Sequence, residues 1–73
     1  MYNAFQIVRI ARRRTDLLTL ADVLNFLDAL GYEGKYWDNR RGWHWDVYLE
    51  TEEGILLVRN DWGGQAVDWT ASR

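Results

Sequence analysis

Apolar residues recur along this chain in two rhythms, helical from Thr19 to Gly31 and alternating from Trp43 onward. Leu20, Val23, Leu24, Leu27 and Leu30 fall on one stripe, with Phe26 at its flank and Asp22, Asn25 and Asp28 turned away. Thr19 stands where an N-cap belongs, and Asp22, three residues on, where a capping-box acid belongs. Leu18 and Val23 are placed to staple that end, and Gly31 to close the other in a left-handed conformation, with Tyr32 folding back on Leu27. A helix this short is marginal in water, so the stripe must pack on something.

The rest of the chain supplies strands. Trp43, Trp45, Val47 and Leu49 alternate with His44, Asp46, Tyr48 and Glu50, the period of a half-buried antiparallel strand. Tyr36 and Trp37 begin a strand, and Asp38 to Gly42 is rich in turn formers. Thr51 to Gly54 reads as a hairpin turn, and Ile55 to Arg59, apolar on both faces, as a central strand. Asn60 to Gly64 turns again, and Gln65 to Thr70 makes a last strand. Ala4 to Ala11 supports two periods. Ile7, Val8 and Ile10 are β-branched and favour a strand, whereas Ala4, Ile7, Val8 and Ala11 also fit a helical stripe that Asn3 and Gln6 would open as a capping box. The β-branched run favours the strand. The expected fold is α+β, in the order β-α-β-β-β: a small antiparallel sheet of about four strands with one helix on one face, in a single domain over residues 1–73.

Composition narrows the chemistry. The chain has no cysteine, so no disulfide and no thiolate metal site, and its one histidine leaves a zinc site dependent on carboxylates. No metal and no cofactor is expected. Five tryptophans and four tyrosines stand in for the missing staple, each large aromatic burying ~150–250 Å². The net charge of −2 is uneven, +1 over residues 1–35 and −3 over 36–73. No apolar run approaches a membrane span, and Met-Tyr-Asn has no secretory character, so the expected location is cytoplasmic, away from membranes.

Tryptophan repeatedly neighbours aspartate: Trp37-Asp38, Trp45-Asp46, Asp61-Trp62 and Asp68-Trp69. On strands, adjacent residues point to opposite faces, so Trp45 and Trp69 would pack under the helix while Asp46 and Asp68 stand on the open face beside His44, Tyr48 and Glu50. That face is either a solvated surface guarding strand edges or an anionic surface for a basic protein partner, imitating a nucleic-acid backbone. In the second reading Asp46, Tyr48, Glu50, Asp61, Trp62 and Asp68 form the binding site, with Trp62 as its buried anchor. Arg12, Arg13, Arg14, Arg40 and Arg41, with Tyr36, Trp37 and Trp43 nearby, offer an alternative: phosphate contacts and stacking for single-stranded nucleic acid. The negative net charge counts against it. A homodimer pairing sheet faces or edges is a third possibility. His44 two residues from Asp46 is raw material for acid–base catalysis, but the chain lacks a nucleophile near His44, a phosphate loop and metal-ligand spacing, so no enzyme is expected.

In its compactness, its lack of Cys and Pro, and its acidic aromatic meander from Tyr36 to Trp69, the chain is similar to the short proteins that phages and mobile elements use to block host defence enzymes, anti-CRISPR proteins among them. The resemblance implies a small α/β domain that inhibits or recruits another protein by binding alone. It carries no diagnostic residue and assigns no site.

Overall fold

The computed structural model describes residues 1–60 and 67–69. Two helices precede a meander: α1 (Ala4–Ala11), α2 (Leu20–Leu30), β1 (Tyr36–Arg41), β2 (His44–Thr51), β3 (Gly54–Asn60) and β4 (Val67–Asp68). The strands form one sheet in the order β1-β2-β3-β4, each pair antiparallel. The fold is α+β with four strands, as expected. The element order is not: the chain opens with a helix, and β1 comes from Tyr36–Arg41.

Ala4–Ala11 is helical because local capping and tertiary burial agree. Asn3 accepts from the Gln6 amide at 2.9 Å, and Gln6 returns the bond to the Asn3 amide at 3.0 Å. Ile7, Val8 and Ala11 then fall on one buried stripe. The helix cost of β-branched residues is a few tenths of a kcal/mol each, less than burying that stripe returns. Arg9 lies over the exposed Phe5 ring on the far side.

In α2 both expected caps form. Thr19 accepts from the Asp22 amide at 3.1 Å, and the Asp22 carboxylate accepts from the Thr19 and Leu18 amides, each at 3.0 Å. These bonds hold the Asp22 carboxyl below its ordinary range, the Thr19 amide contributing most. Gly31 is left-handed at φ +75, and the Gly31 and Tyr32 amides both donate to the Leu27 carbonyl. The staple differs from expectation. Leu18 is half exposed, and Leu17 is the residue that enters the core, since extended backbone at Thr19 turns alternate side chains apart.

The buried residues of both helices share one cluster with Trp45, Val47, Leu49, Val58 and Trp69. Phe26 meets the Trp69 ring edge-on at 5.6 Å. The sheet therefore has a helix-covered inner face. Trp43, expected on that face, is instead 62% exposed. Arg41 pairs with His44, so Gly42 and Trp43 form a two-residue turn. Only Gly42 of the two has positive φ, +61, the type II′ requirement. The turn formers Asp38 to Arg41 are strand because they lie on a solvent-exposed sheet edge. The close approach of Gly34 to Tyr32 and the Glu50 carbonyl leaves no room for a side chain, which fixes how the link from α2 enters the sheet. Among the described residues no helix is long and apolar enough to cross a membrane.

Candidate functional site

The other side of the sheet follows from the strand register. Residues opposite one another in an antiparallel pair share a face. Trp37, Tyr48 and Leu57 form one row across three strands. Asn39, Asp46, Arg59 and Asp68 form the next, across all four. Arg41 with His44 and Glu50 with Ile55 close the two ends. The inner-face residues interleave with these and meet the helices; the outer row residues lie outside the core cluster.

At the centre of the outer face the Trp37 and Tyr48 rings are stacked, with centroids 5.5 Å apart and planes within 16°. Trp37 is 43% exposed and Ile55 36%, while Leu57 is buried. Around this apolar strip the charges alternate. Arg59 is register-paired with Asp46 on one side and Asp68 on the other. His44 Nε2 lies 3.3 Å from Asp46 Oδ1. Of two clefts, about 430 and 420 Å³, neither is lined by His44 or Asp46, and the second borders the face only at Asp68. Among the described residues no group of three or more His, Cys, Asp or Glu side chains could hold a metal ion. The face thus carries an aromatic stack at its centre with charged groups around it.

No family model matches the chain, and no curated protein or solved structure matches it.

Of the residues expected at a protein-binding site, the sheet brings four together: Asp46, Tyr48 and Glu50 alternate on the outer side of β2, and Asp68 joins the Asp46 row from β4. Asp61 and Trp62 lie outside the described residues. Trp45 and Trp69 are buried on the opposite face, as the Trp-Asp pairing implied. The alternative arginine set is scattered. Arg12, Arg13 and Arg14 follow α1, and Arg14 binds Asp16 through two contacts of 2.8 and 2.6 Å while lying over the Phe26 ring. That pairing holds the Asp16 carboxyl below its ordinary range. Arg40 and Arg41 are consecutive on β1 and point to opposite faces.

Arg59 was not among the expected site residues, and Trp37 was expected only as a stacking ring beside the alternative arginine set. The signal for Trp37 was the alternation Trp37, Asn39, Arg41, hidden by the turn-forming character of the segment. Arg59 is recognisable only through its long-range register with Asp46 and Asp68. A further unforeseen feature is Asn60, 5% exposed, whose side chain accepts from the Trp45 amide at 3.1 Å and donates to the Trp43 carbonyl at 3.0 Å. It clasps the β1–β2 turn and holds Trp43 outward.

Proposed function

We propose that this protein is a non-enzymatic binding module that inhibits or recruits another protein through the outer face of its sheet. The observation that carries the reading is the stack of Tyr48 on a half-exposed Trp37, on the face the two helices leave uncovered. Aromatic anchors ringed by polar groups are the residues on which interface energy concentrates. Asp46, Glu50 and Asp68 outnumber Arg41 and Arg59 there, which favours a partner with an apolar centre and a mainly basic rim. The likeness to phage anti-defence proteins makes a cytoplasmic host defence enzyme the first partner to seek.

The test is affinity for a partner co-purified with the full chain. Tyr48→Ala and Asp46→Arg should each weaken binding by about tenfold or more, with Arg13→Ala unchanged. Wild-type affinity in both outer-face variants would remove this face from consideration. The nucleic-acid alternative predicts retention on single-stranded DNA or RNA that falls steeply with salt and is lost when Arg12, Arg13, Arg40 and Arg41 are neutralised.

A further inference from the structure

The sheet ends in two unlike edges. β4 spans two residues, Val67–Asp68, whereas β1 spans six with an unbroken register against β2. The phase of its hydrogen bonds follows from the turn. Arg41 and His44 flank a two-residue loop, so they exchange both backbone bonds, and alternate pairs along the ladder do the same. The Glu50 amide, which donates to the Lys35 carbonyl at 2.8 Å, confirms that phase at the far end. The amides and carbonyls of Tyr36, Asp38 and Arg40 therefore point away from β2, and no strand among the described residues pairs with them. β1 carries no proline and no bulge, two common guards of an exposed edge. Its guards are charges of both signs, Asp38 and Arg40 on the inner face and Arg41 on the outer.

Charges guard an edge only against the wrong partner. For a second copy of this chain, running antiparallel, the outward groups allow few two-fold registers. An axis at Asp38 sets two carboxylates against each other and Lys35 against the second copy's Arg41. An axis at Trp37 sets Asp38 opposite the second copy's Tyr36 and Arg40 opposite its Gly34, with no ion pair between the two β1 strands. An axis at Asn39 differs from both. It places Asp38 opposite the second copy's Arg40, and Arg40 opposite its Asp38. On the outer face Trp37 meets the second copy's Arg41, and the reverse, a cation above an indole. We infer that β1 is a homodimerisation edge, pairing with β1 of a second copy about a two-fold axis at Asn39 to give a continuous eight-stranded sheet. The inference rests on the edge of β1 and not on the partner-binding reading of the outer face, though the dimer would present two such faces side by side.

Sedimentation of the full chain over a concentration series tests it. Wild type should pass from monomer to dimer as concentration rises. Asp38→Arg and Arg40→Asp, both at exposed positions, each place like charges opposite twice per dimer and should dimerise about tenfold or more weakly. Mixing the two variants restores both ion pairs in a heterodimer, and the double variant restores them in a homodimer. Circular dichroism checks that each variant is folded. A wild type that stays monomeric overturns the inference. So does a folded single variant that dimerises like wild type, or a mixture that stays monomeric, since either would put any contact at another surface or register. Asp68→Arg, on β4 at the other end of the sheet, should leave dimerisation intact whatever it does to partner binding.

Discussion

Leu49 and Tyr48 are neighbours on one strand with opposite fates. Leu49 is fully buried among Ile7, Val23, Leu27 and Val58, and Tyr48 stands on the outer face stacked on a half-exposed Trp37. The two faces of this sheet use similar raw material, large apolar and aromatic side chains, but only the inner one has helices to cover it. The difference teaches how so small a domain divides one strand's residues between a helix-covered core and an exposed face. On the inner face, each apolar side chain is removed from water when the chain folds. On the outer face Leu57 is buried, but Trp37 and Ile55 keep a third or more of their surface in water. An alternating strand is what makes the division possible, because each residue is assigned to one face by its parity alone.

The sharpest way to break this comparison is to truncate the two neighbours in turn. Leu49→Ala should destabilise the fold by about 2–5 kcal/mol, close to the whole stability of a domain this size. Leu27→Ala, on the α2 stripe, should behave alike. Tyr48→Ala should cost far less, about 1 kcal/mol for the aromatic pair and its local packing. Thermal and denaturant unfolding measure all three, and equal losses at 48 and 49 would mean the outer face is a second core. A smaller effect sharpens the rule for polar groups. Asn60 is tolerated on the inner face because both ends of its amide are bonded. Asn60→Ala leaves the Trp45 amide and the Trp43 carbonyl without those bonds, which should cost about 1–3 kcal/mol and speed exchange at the Trp45 amide. A loss within about 0.5 kcal/mol, the range of ordinary surface changes, would show that water replaces the clasp.

Legibility followed the range of the interactions. The α2 ends were readable because Thr19, Asp22 and Gly31 act within one helical turn of themselves. The partition of β2 was readable because parity is local. Ala4–Ala11 was not, because its β-branched residues and its Asn3–Gln6 box pull in opposite directions, and burial against the sheet decided between them. β1 was readable only at its start, Tyr36 and Trp37: beyond them both faces are largely exposed, so polar residues occupy it and no apolar alternation marks it. Trp43 was misplaced by one consequence of that, since a strand running through Arg41 moves the turn onto Gly42 and Trp43. The outer-face acids were found by period, but Arg59 among them depends on pairings between distant segments.

The smallest expected effect concerns how the exposed edge is tied to the covered side. The Tyr36 hydroxyl on β1 donates to the Asp28 carboxylate on α2, a bond between residues that sequence periodicity assigns to no shared surface. The carboxylate disfavours a phenolate beside it, and with some burial this pushes the Tyr36 pKa up to about 12 from an ordinary 10.0. A raised pKa on an acid that is neutral when bonded means the contribution is fully present below pH about 10 and declines above it. It is lost as the pH rises through about 12, where ionisation in the folded state catches up with that in the unfolded chain. Tyr32, whose hydroxyl donates to the Glu50 carbonyl at 2.5 Å, is also raised, chiefly by burial, and adds to the same alkaline loss. Tyr36→Phe should therefore lower stability slightly at neutral pH and flatten, without abolishing, the fall above pH about 10. Because the Tyr36 side chain is only partly buried at the edge of the core, the change should be small beside Leu49→Ala. Unfolding measured from neutral to strongly alkaline pH in the two proteins decides it. Parallel curves would mean the hydroxyl bond does not tie β1 to α2, and that the edge strand is held by β2 alone.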